Sequence, residues 1–560
     1  MCGYVFVSSR NQITREIDAN VLQHRGPDHT KEIDLGWCRV RHWRLSIQDL
    51  TSHSNQPYSD QVDYLVYNGE LYDFRNVASR IFSKLFDSDT QFLFHALKKN
   101  CFELIKNLSG FYSFVFIKHL EKRFFSTRDY FGKKPLYYYF DSDLLVVASE
   151  DRAVKDIAQK YGRSIKIKPA SIFHYICYKD LHFGNTYYDN IYELAPGSFL
   201  EFDFETWTLS ISKSWEDYYV SKPFYKEEKF KKVANDTSER VLQQSIQHLI
   251  NSIEKRFIAD VPVWLALSGG VDSTLLALIA KEKKKNFDSV FTVSSKSRPS
   301  ELEKSKILCD TFSINQHIID FDSVDFFDLL RKAIYAQAAP LSHPHALALF
   351  ALTKEVSRIG KVLITGEGAD ELFYGYEHYK HGNTTFAFLK HINPHEYFDD
   401  DGKTKGLFKN FELEKYLENN DSRDLDVKTH LLSLLRRNDR VSMRNSIELR
   451  SAYLDFELFQ FISQAQENCS LPTGKDLAVK MIKDIFPRYE IDRRKIGFYV
   501  PFDDWFETHR NNDVLVKRYI DNANSFLKMN FGLTLKKNAQ VKGKLAWALL
   551  NIGVFHEVWD

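Results

Sequence analysis

Between residue 2 and about residue 210, short apolar and aromatic runs are broken by turn residues. Asp63 to Tyr67 (DYLVY), Gly110 to Lys118 (GFYSFVFIK), Lys134 to Phe140 (KPLYYYF) and Leu144 to Ala148 (LLVVA) read as strands. Arg44 to Asp49 reads as a strand with a charged start, and Arg25-Gly26-Pro27-Asp28 as a turn. Thr90 to Lys99 has helical spacing. The pattern predicts an α+β domain with much antiparallel sheet. After about residue 215 it changes. Lys226 to Phe257 is a long, charged stretch of helical period without Gly or Pro. Val261 to Leu267 (VPVWLAL) is then an apolar run entering Ser268-Gly269-Gly270. Beyond it the spacing predicts a helix over Thr274 to Lys285, a strand over Ser289 to Val293 and a helix over Glu301 to Thr311. A strand over His317 to Phe321, a helix over Asp325 to Ala338 and a strand over Lys361 to Thr365 follow. Short strands alternating with helices predict a parallel sheet, with ligands at the carboxyl ends of its strands. From about Tyr376 the chain reads as mostly helical.

Length and composition narrow the classes. A chain of 560 residues suggests three or four average domains, or two large ones. Lys plus Arg total 76 and Asp plus Glu 75, so a net charge of +1 gives no electrostatic case for nucleic acid or an anionic membrane. No apolar run approaches the ~20 residues that span a bilayer. The start, MCGYVFVSSRNQ, lacks the features of a secretory signal, so a cytoplasmic protein is expected. The six cysteines are scattered, without C-x-x-C or Cys/His ligand spacing. Neither disulfides nor a zinc site is expected, and Cys38, Cys101, Cys177, Cys309 and Cys469 read as small hydrophobes. The Lys281 to Lys285 run reads as a solvated helix end.

Three segments carry chemistry. Ser268-Gly269-Gly270-Val271-Asp272-Ser273 follows a predicted strand and opens a predicted helix. Glycines admit an anion close to the backbone, and free N–H groups with the helix dipole favour phosphate oxygens. The segment is not a Walker loop. Gly366-Glu367-Gly368-Ala369-Asp370-Glu371 sets three carboxylates within five residues at a second strand end. Crowded carboxylates repel, and a Mg²⁺ carried with ATP phosphates would relieve this, with Asp272 and Asp370 as co-ligands. Removal of Met1 would give Cys2 a free α-amine with a pKa near ~7.7–8.0, able to activate its own thiol. Asn68 and Gly69, after the DYLVY run, offer a side-chain amide and a backbone N–H for an oxyanion. Ser88-Asp89-Thr90-Gln91 reads as a helix cap.

In chain order, Cys2-Gly3, RGPD at Arg25, RLSIQDL from Arg44, Gln56-Pro57, NGELY from Asn68 and SDT at Ser88 form a series. It continues with Arg128-Asp129, GKKPLYY from Gly132, Ala148-Ser149-Glu150 and Ala195-Pro196-Gly197. SGGVDST, GEGADELF, Asp439 to Asp455, Arg494-Lys495 and Gly497-Phe498 complete it. The series resembles the class II glutamine amidotransferases joined to an ATP-pyrophosphatase synthetase domain, the asparagine synthetase family. The resemblance implies an αββα antiparallel sandwich of the N-terminal-nucleophile hydrolase type over residues 2–212. It implies an α/β parallel-sheet domain of the adenine-nucleotide α-hydrolase (PP-loop) type over residues 225–560, with a helical C-terminal part. Cys2 would be the nucleophile on glutamine, with Asn68 and Gly69 as the oxyanion hole. Arg44 would hold the glutamine carboxylate, and Glu70 and Asp89 its amine. Leu267 and Val293 would flank adenine, Ser268, Gly269, Gly270, Asp272 and Ser273 would grip the pyrophosphate, and Thr365 and Gly366 would touch AMP. Asp272 and Asp370 would hold Mg²⁺, Glu367 would take a proton from ammonia, and Lys495 would neutralise charge during adenylation. Glutamine, ATP and a carboxylate acceptor are the expected partners, with a homodimer among the assemblies allowed. L-Aspartate is the acceptor the resemblance names, giving asparagine. The same chemistry on a sugar uronate or natural-product precursor is the alternative, ahead of a lactam- or peptide-cyclising ligase. Ser300-Glu301, Tyr374-Gly375-Tyr376, Ala452-Tyr453-Leu454-Asp455 and Pro340 to His345 (PLSHPH) depart from the family pattern. His343 and His345 are expected as turn or solvent histidines rather than acceptor contacts.

Overall fold

A computed structural model describes residues 2–11, 15–101, 109–182, 184–212, 238–283, 285, 287, 289–296, 299–380, 391–400, 402, 422–468, 471–489, 500–510 and 513–559. Side chains alternate across the strand Cys2–Ser9, and this alternation builds the first half. Tyr4 and Phe6 face one way and Val5 and Val7 the other, and all four are buried. A strand buried on both faces requires a layer on each side. The first six-stranded antiparallel sheet runs Ile191–Glu193, Tyr137–Phe140, Leu144–Ala148, Cys2–Ser9, Cys38–Arg44, His29–Asp34. Tyr4, Phe6 and Val40 pack against Val66, Val115 and Leu200 of the second sheet. That sheet runs Thr208–Ser212, Phe199–Asp203, Arg123–Arg128, Gly110–Lys118, Asp63–Leu71, Tyr58–Ser59 and is also antiparallel. Val5 and Val7 instead meet Val154 and Ile157 of the helix Asp151–Lys160. On the far side Leu65 and Phe114 meet Phe74 and Phe92 of the helices Phe74–Phe82 and Asp89–Lys98. The order helix, sheet, sheet, helix is the αββα sandwich.

The second half is built on a five-stranded parallel sheet, Asn315–Asp320, Ser289–Ser294, Val263–Ala266, Val362–Thr365, Glu448–Ser451. Val263 and Leu265 pack on Leu275 and Ile279 of the helix Val271–Glu282 and on Leu249 of the helix Ser238–Arg256. Phe291 and Leu363 pack on the other face with the helices His345–Val356, Phe326–Gln337 and Gly543–Trp559. From residue 422 the described chain is mostly helical, as expected. No helix among the described residues is long and apolar enough to cross a membrane.

Several boundaries differ from the sequence expectation. Asp63 to Tyr67 extends to Leu71, so Asn68, Gly69 and Glu70 lie inside a strand. Lys134 to Phe140 is strand only from Tyr137. The reason is local: the Lys133 and Lys134 backbone N–H groups donate to the Asp129 carboxylate at 2.9 Å each. Arg44 to Asp49 is not a strand. The strand Cys38–Arg44 ends at Arg44, and the next residues fold back so that their carbonyls accept from its guanidinium. Lys226 to Phe257 is helical over Ser238–Arg256, its earlier part lying outside the described residues. Cys2, Cys38, Cys177 and Cys309 are buried free thiols and Cys101 is half-buried, whereas Cys469 lies outside the described residues.

Buried charge joins the halves. The fully buried Arg25 donates from Nη1 to Glu150 at 3.0 Å and from Nη1 and Nη2 to Asp439 at 2.8 and 3.2 Å. Asp439 also meets Lys134 at 3.3 Å, and Arg440 meets Asp151 at 2.7 Å. Asp455, paired with Arg256 at 2.8 Å within the second half, accepts from Ser109 Oγ of the first at 2.6 Å, and Arg436 meets Glu193 at 2.7 Å. The opposing cations hold the Asp439, Glu150 and Asp455 carboxyls below their ordinary range and Glu193 at about 2. Asp439→Ala leaves Arg25 and Lys134 buried short of a counter-ion and is expected to cost about 3–5 kcal/mol, read as a lower urea midpoint. Because these carboxyl pKa values are depressed in the fold, their stabilisation is full above the ordinary carboxylate range near ~4 and is lost as pH falls below it. A midpoint that does not fall for the variant, or does not fall on acidification, contradicts this account.

Candidate active site

The first constellation lies where the strand Cys2–Ser9 of one sheet meets the strand Asp63–Leu71 of the other. The Cys2 backbone nitrogen donates to Asn68 Oδ1 at 3.0 Å across the sandwich. That bond orients the carboxamide and leaves Asn68 Nδ2 buried without a hydrogen-bond partner among the described residues. A Cβ on Gly69 would stand 2.1 Å from the Phe111 carbonyl oxygen, so only glycine fits beside Asn68. The Cys2 carbonyl accepts from Arg25 Nε at 3.1 Å. Burial pushes the Cys2 thiol up, opposed by the chain-terminal amine and by Arg44. Arg44 lies opposite Cys2 in the sheet register. Its guanidinium donates to the Thr51 carbonyl at 2.6 Å and to Asn55 Oδ1 at 2.7 Å. Glu70 accepts from Gln48 Nε2. Burial, then Glu448 and Asp89, push Glu70 up to about 8. Asp89 accepts from the Leu71 N–H at 3.1 Å and the Tyr67 hydroxyl at 3.0 Å, and burial raises it too. Cys2, Asn68, Gly69, Arg44, Glu70 and Asp89 thus share one corner.

The second constellation sits at the carboxyl ends of the parallel strands Val263–Ala266 and Val362–Thr365. Ser273 Oγ ties the glycine loop together, accepting from the Ser268 N–H at 3.2 Å and donating to the Gly270 carbonyl at 3.1 Å. Gly269 has φ +75°, and a Cβ there would stand 2.8 Å from the Glu301 carbonyl oxygen, so glycine is required. A cavity of about 430 Å³ is lined by Leu267, Ser268, Gly270, Asp272 and Ser273 on one side and Thr365, Gly366, Glu367 and Asp370 on another. Gly269 and Val293 are not in its lining, and Lys495 lies outside the described residues. The three clustered carboxylates have different partners. Asp370 meets Lys475 Nζ at 3.0 Å, and the same ammonium contacts Asp272. Glu367 Oε2 accepts from Arg437 Nη2 at 2.9 Å and Asn438 Nδ2 at 3.0 Å. Glu371 accepts from the Tyr376 hydroxyl at 3.0 Å and is pushed up to about 8 by burial, Glu367 and Asp370. Asp272 and Asp370 thus converge on one cation. Two carboxylates beside a glycine loop fit Mg²⁺, which takes one or two protein carboxylates and draws the rest from phosphate and water.

Residues 246–551, more than half of the chain, match the asparagine synthase family, and residues 1–215 match the glutamine amidotransferase domain. The chain belongs to the asparagine synthase family. It is a glutamine-hydrolysing carbon–nitrogen ligase of the asparagine-synthetase type. It is 24% identical over its whole length to asparagine synthetase [glutamine-hydrolyzing] 1 of Bacillus subtilis, covering 97% of that protein. A putative asparagine synthetase [glutamine-hydrolyzing] of Mycobacterium bovis is 24% identical over 87% of this chain and 84% of its own length. The amidase chyE of Penicillium rubens is 27% identical over 65% of this chain and 55% of its own length.

Four features of this asparagine synthase-family chain escape the sequence reading. Lys475 opens the helix Lys475–Ile485 far along the chain from both aspartates it bridges. Arg437 and Asn438 lie just before the Asp439 to Asp455 stretch and aim at Glu367 from the helix His430–Met443. His343 and His345 are corrected: both line the cavity rather than a turn in solvent, because the helix His345–Val356 packs on the helix His430–Met443. Lys179, past the end of the helix Pro169–Tyr178 in the N-terminal half, lines the same cavity. The departing Tyr453 supports the loop from behind, its hydroxyl donating to the Asp272 carbonyl at 2.7 Å.

The shared ammonium gives a test. Lys475→Met leaves Asp272 and Asp370 facing each other uncompensated. Its unfolding temperature is expected to fall by about 1–2 °C in EDTA for each kcal/mol lost, with a loss on the order of 1 kcal/mol or more. Millimolar Mg²⁺ should recover part of that loss while moving the wild type less. Equal Mg²⁺ responses would show that the two carboxylates do not form one cation site.

Proposed function

We propose that this chain hydrolyses glutamine at Cys2 and uses the ammonia, with ATP going to AMP and pyrophosphate, to amidate a carboxylic acid. The observation carrying this reading is the Asn68 carboxamide, whose oxygen receives the Cys2 nitrogen and whose NH₂ is left bare in a buried corner. With Met1 removed, that nitrogen becomes an α-amine able to take the thiol proton. The thiolate adds to the glutamine amide carbon. Asn68 Nδ2 and the Gly69 N–H hold the developing oxyanion, and the C–N bond breaks as the amine returns its proton to the leaving ammonia. Water then cleaves the thioester to glutamate. Arg44 supplies positive charge for the substrate carboxylate, and Glu70 and Asp89 supply negative charge for its ammonium.

At the second centre an acceptor carboxylate oxygen attacks the α-phosphorus of ATP, and the bond to the β-phosphate oxygen breaks. Ser268, Gly269, Gly270 and Ser273 receive the pyrophosphate, and Leu267, Val293, Thr365 and Gly366 receive the adenosine part. Asp272 and Asp370 would hold Mg²⁺, which when bound neutralises phosphate charge, and Lys495 would add a further cation. Ammonia then adds to the acyl carbon, Glu367 takes a proton, and the bond to AMP breaks, leaving the amide. A small cavity of about 20 Å³ is lined by Lys133, Lys134, Thr365, Asn438, Arg450 and Ser451, residues of both halves. It has room for one small molecule and suits ammonia kept from bulk water. L-Aspartate is the acceptor the resemblance names. A second reading, another acid, is favoured by Lys179, His343 and His345 in the cavity wall.

Cys2→Ala is expected to lower glutamine hydrolysis by about 10³-fold or more while ammonia-dependent pyrophosphate release continues. Surviving hydrolysis would overturn the nucleophile assignment. The substrate ammonium favours ionised Glu70, whose pKa is raised to about 8. Glutamine binding near neutral pH then releases a proton, and glutamine KM should fall as pH rises towards 8. Glu70→Gln should raise KM and remove that slope; a slope that persists assigns the titration elsewhere.

A further inference from the structure

The glycine loop accounts for one part of the lining of the 430 Å³ cavity, and another part has a different chemistry. It carries Lys179, His343, His345 and His430. The rings of His343 and His345 are 5.9 Å apart, and those of His343 and His430 are 6.0 Å apart. His345 and His430 are the first residues of the helices His345–Val356 and His430–Met443, so two positive helix ends meet at this wall. The Lys179 ammonium, half-buried, has no hydrogen bond or ion pair among the described residues, and neither the His343 ring nor the His345 ring makes a hydrogen bond there. The carboxylates nearby each have a side-chain partner: Glu367 meets Arg437 and Asn438, Asp272 and Asp370 meet Lys475, Asp426 meets His378 at 2.6 Å, and Asp180 meets Arg436 at 2.8 Å. An acceptor's distal anion meets the Lys179 ammonium and the His343 and His345 rings, which have no hydrogen-bond or ion-pair partner among the described residues, whereas an acceptor's ammonium meets the Lys179 charge beside carboxylates that already have side-chain partners.

Resting on the amidotransferase reading above, we propose that the acceptor is a carboxylic acid with a second anionic group and no ammonium group. Lys179, with His343, His345 and His430, receives the distal anion. This group is a carboxylate or a phosphate, which present the same acceptor oxygens to these donors. Burial and Lys544 bring Lys179 down to about 8. It is charged at neutral pH and loses its charge as pH rises through that value. The groups acting with it are His343, His345, His391 and His430, all lowered first by burial and so neutral without ligand, and Arg437, held by Glu367. Loss of the Lys179 charge is therefore the change that weakens an anion here above neutral pH.

The full-length enzyme with ATP and glutamine is assayed for pyrophosphate with succinate, L-malate, glucuronic acid 1-phosphate, L-aspartate and propionate. We expect succinate or malate (the carboxylate arm) or glucuronic acid 1-phosphate (the phosphate arm) to exceed both L-aspartate and propionate in kcat/KM by about 10-fold or more. KM for the preferred acid should rise as pH passes 8. Lys179→Gln should raise that KM by about 10-fold at neutral pH and flatten the rise, with Lys179→Arg restoring affinity; unfolding temperatures report that each variant folds. Preference for L-aspartate or propionate overturns the inference and leaves the amidotransferase reading standing. So does a Lys179→Gln variant with unchanged KM. No pyrophosphate with any acid, ammonia included in place of glutamine, counts instead against the amidotransferase reading itself.

Discussion

The buried contact of Arg25 with Asp439 is the constraint on which the rest of this structure depends. An uncompensated guanidinium in a dry interior is costly, so the two halves are stable together only in the arrangement that pairs it. Arg25 comes from the turn beside the Cys2 strand, and Asp439 from a helix of the synthetase half. Arg25 also donates to the Cys2 carbonyl, so the same guanidinium fixes the interface and the backbone of the proposed nucleophile. Glu150, Lys134 and Arg440 extend this into a network in which each charge has a partner.

The helix His430–Met443 reads out that constraint at the second centre. Three consecutive residues take separate tasks: Arg437 and Asn438 hold Glu367, and Asp439 holds Arg25. A shift of this helix sufficient to release one contact disturbs the other, because both are anchored within one helical turn. A small cavity that also touches Lys133 and Lys134 of the first half is lined by Asn438 from the same helix. The positions of the proposed nucleophile and of the proposed base are therefore both tied to one rigid element.

Much of this was legible in the chain, for reasons that differ by residue. The SGGVDS loop is readable because its requirements are local: Gly269 needs a positive φ, and the helix begins at once. The same holds for Ser88, whose hydroxyl accepts from the Gln91 N–H at 3.3 Å. Lys475 was not legible, since nothing in its surrounding residues reveals that two aspartates about 100 and 200 positions away converge on it. His343 and His345 were misjudged because a Ser-His-Pro-His string reads as a turn, and only the helix packed against it turns the string into a cavity wall. The strand expected at Arg44 failed for a similar reason, since the Arg44 guanidinium recruits the carbonyls that would have continued it.

By itself the sequence determined what short-range rules govern: alternation that buries both faces of the Cys2 strand, glycine loops at strand ends, helix caps, and the chemical identity of each reactive group. Tertiary structure decided which distant charges meet, and hence the partner of Glu367, the cation between Asp272 and Asp370, and the basic residues that share a cavity with the glycine loop. The division follows from range. Backbone conformation and burial pattern depend on a few neighbouring residues, whereas a buried ion pair joins groups hundreds of positions apart, and its energy exists only once folding has removed the water between them.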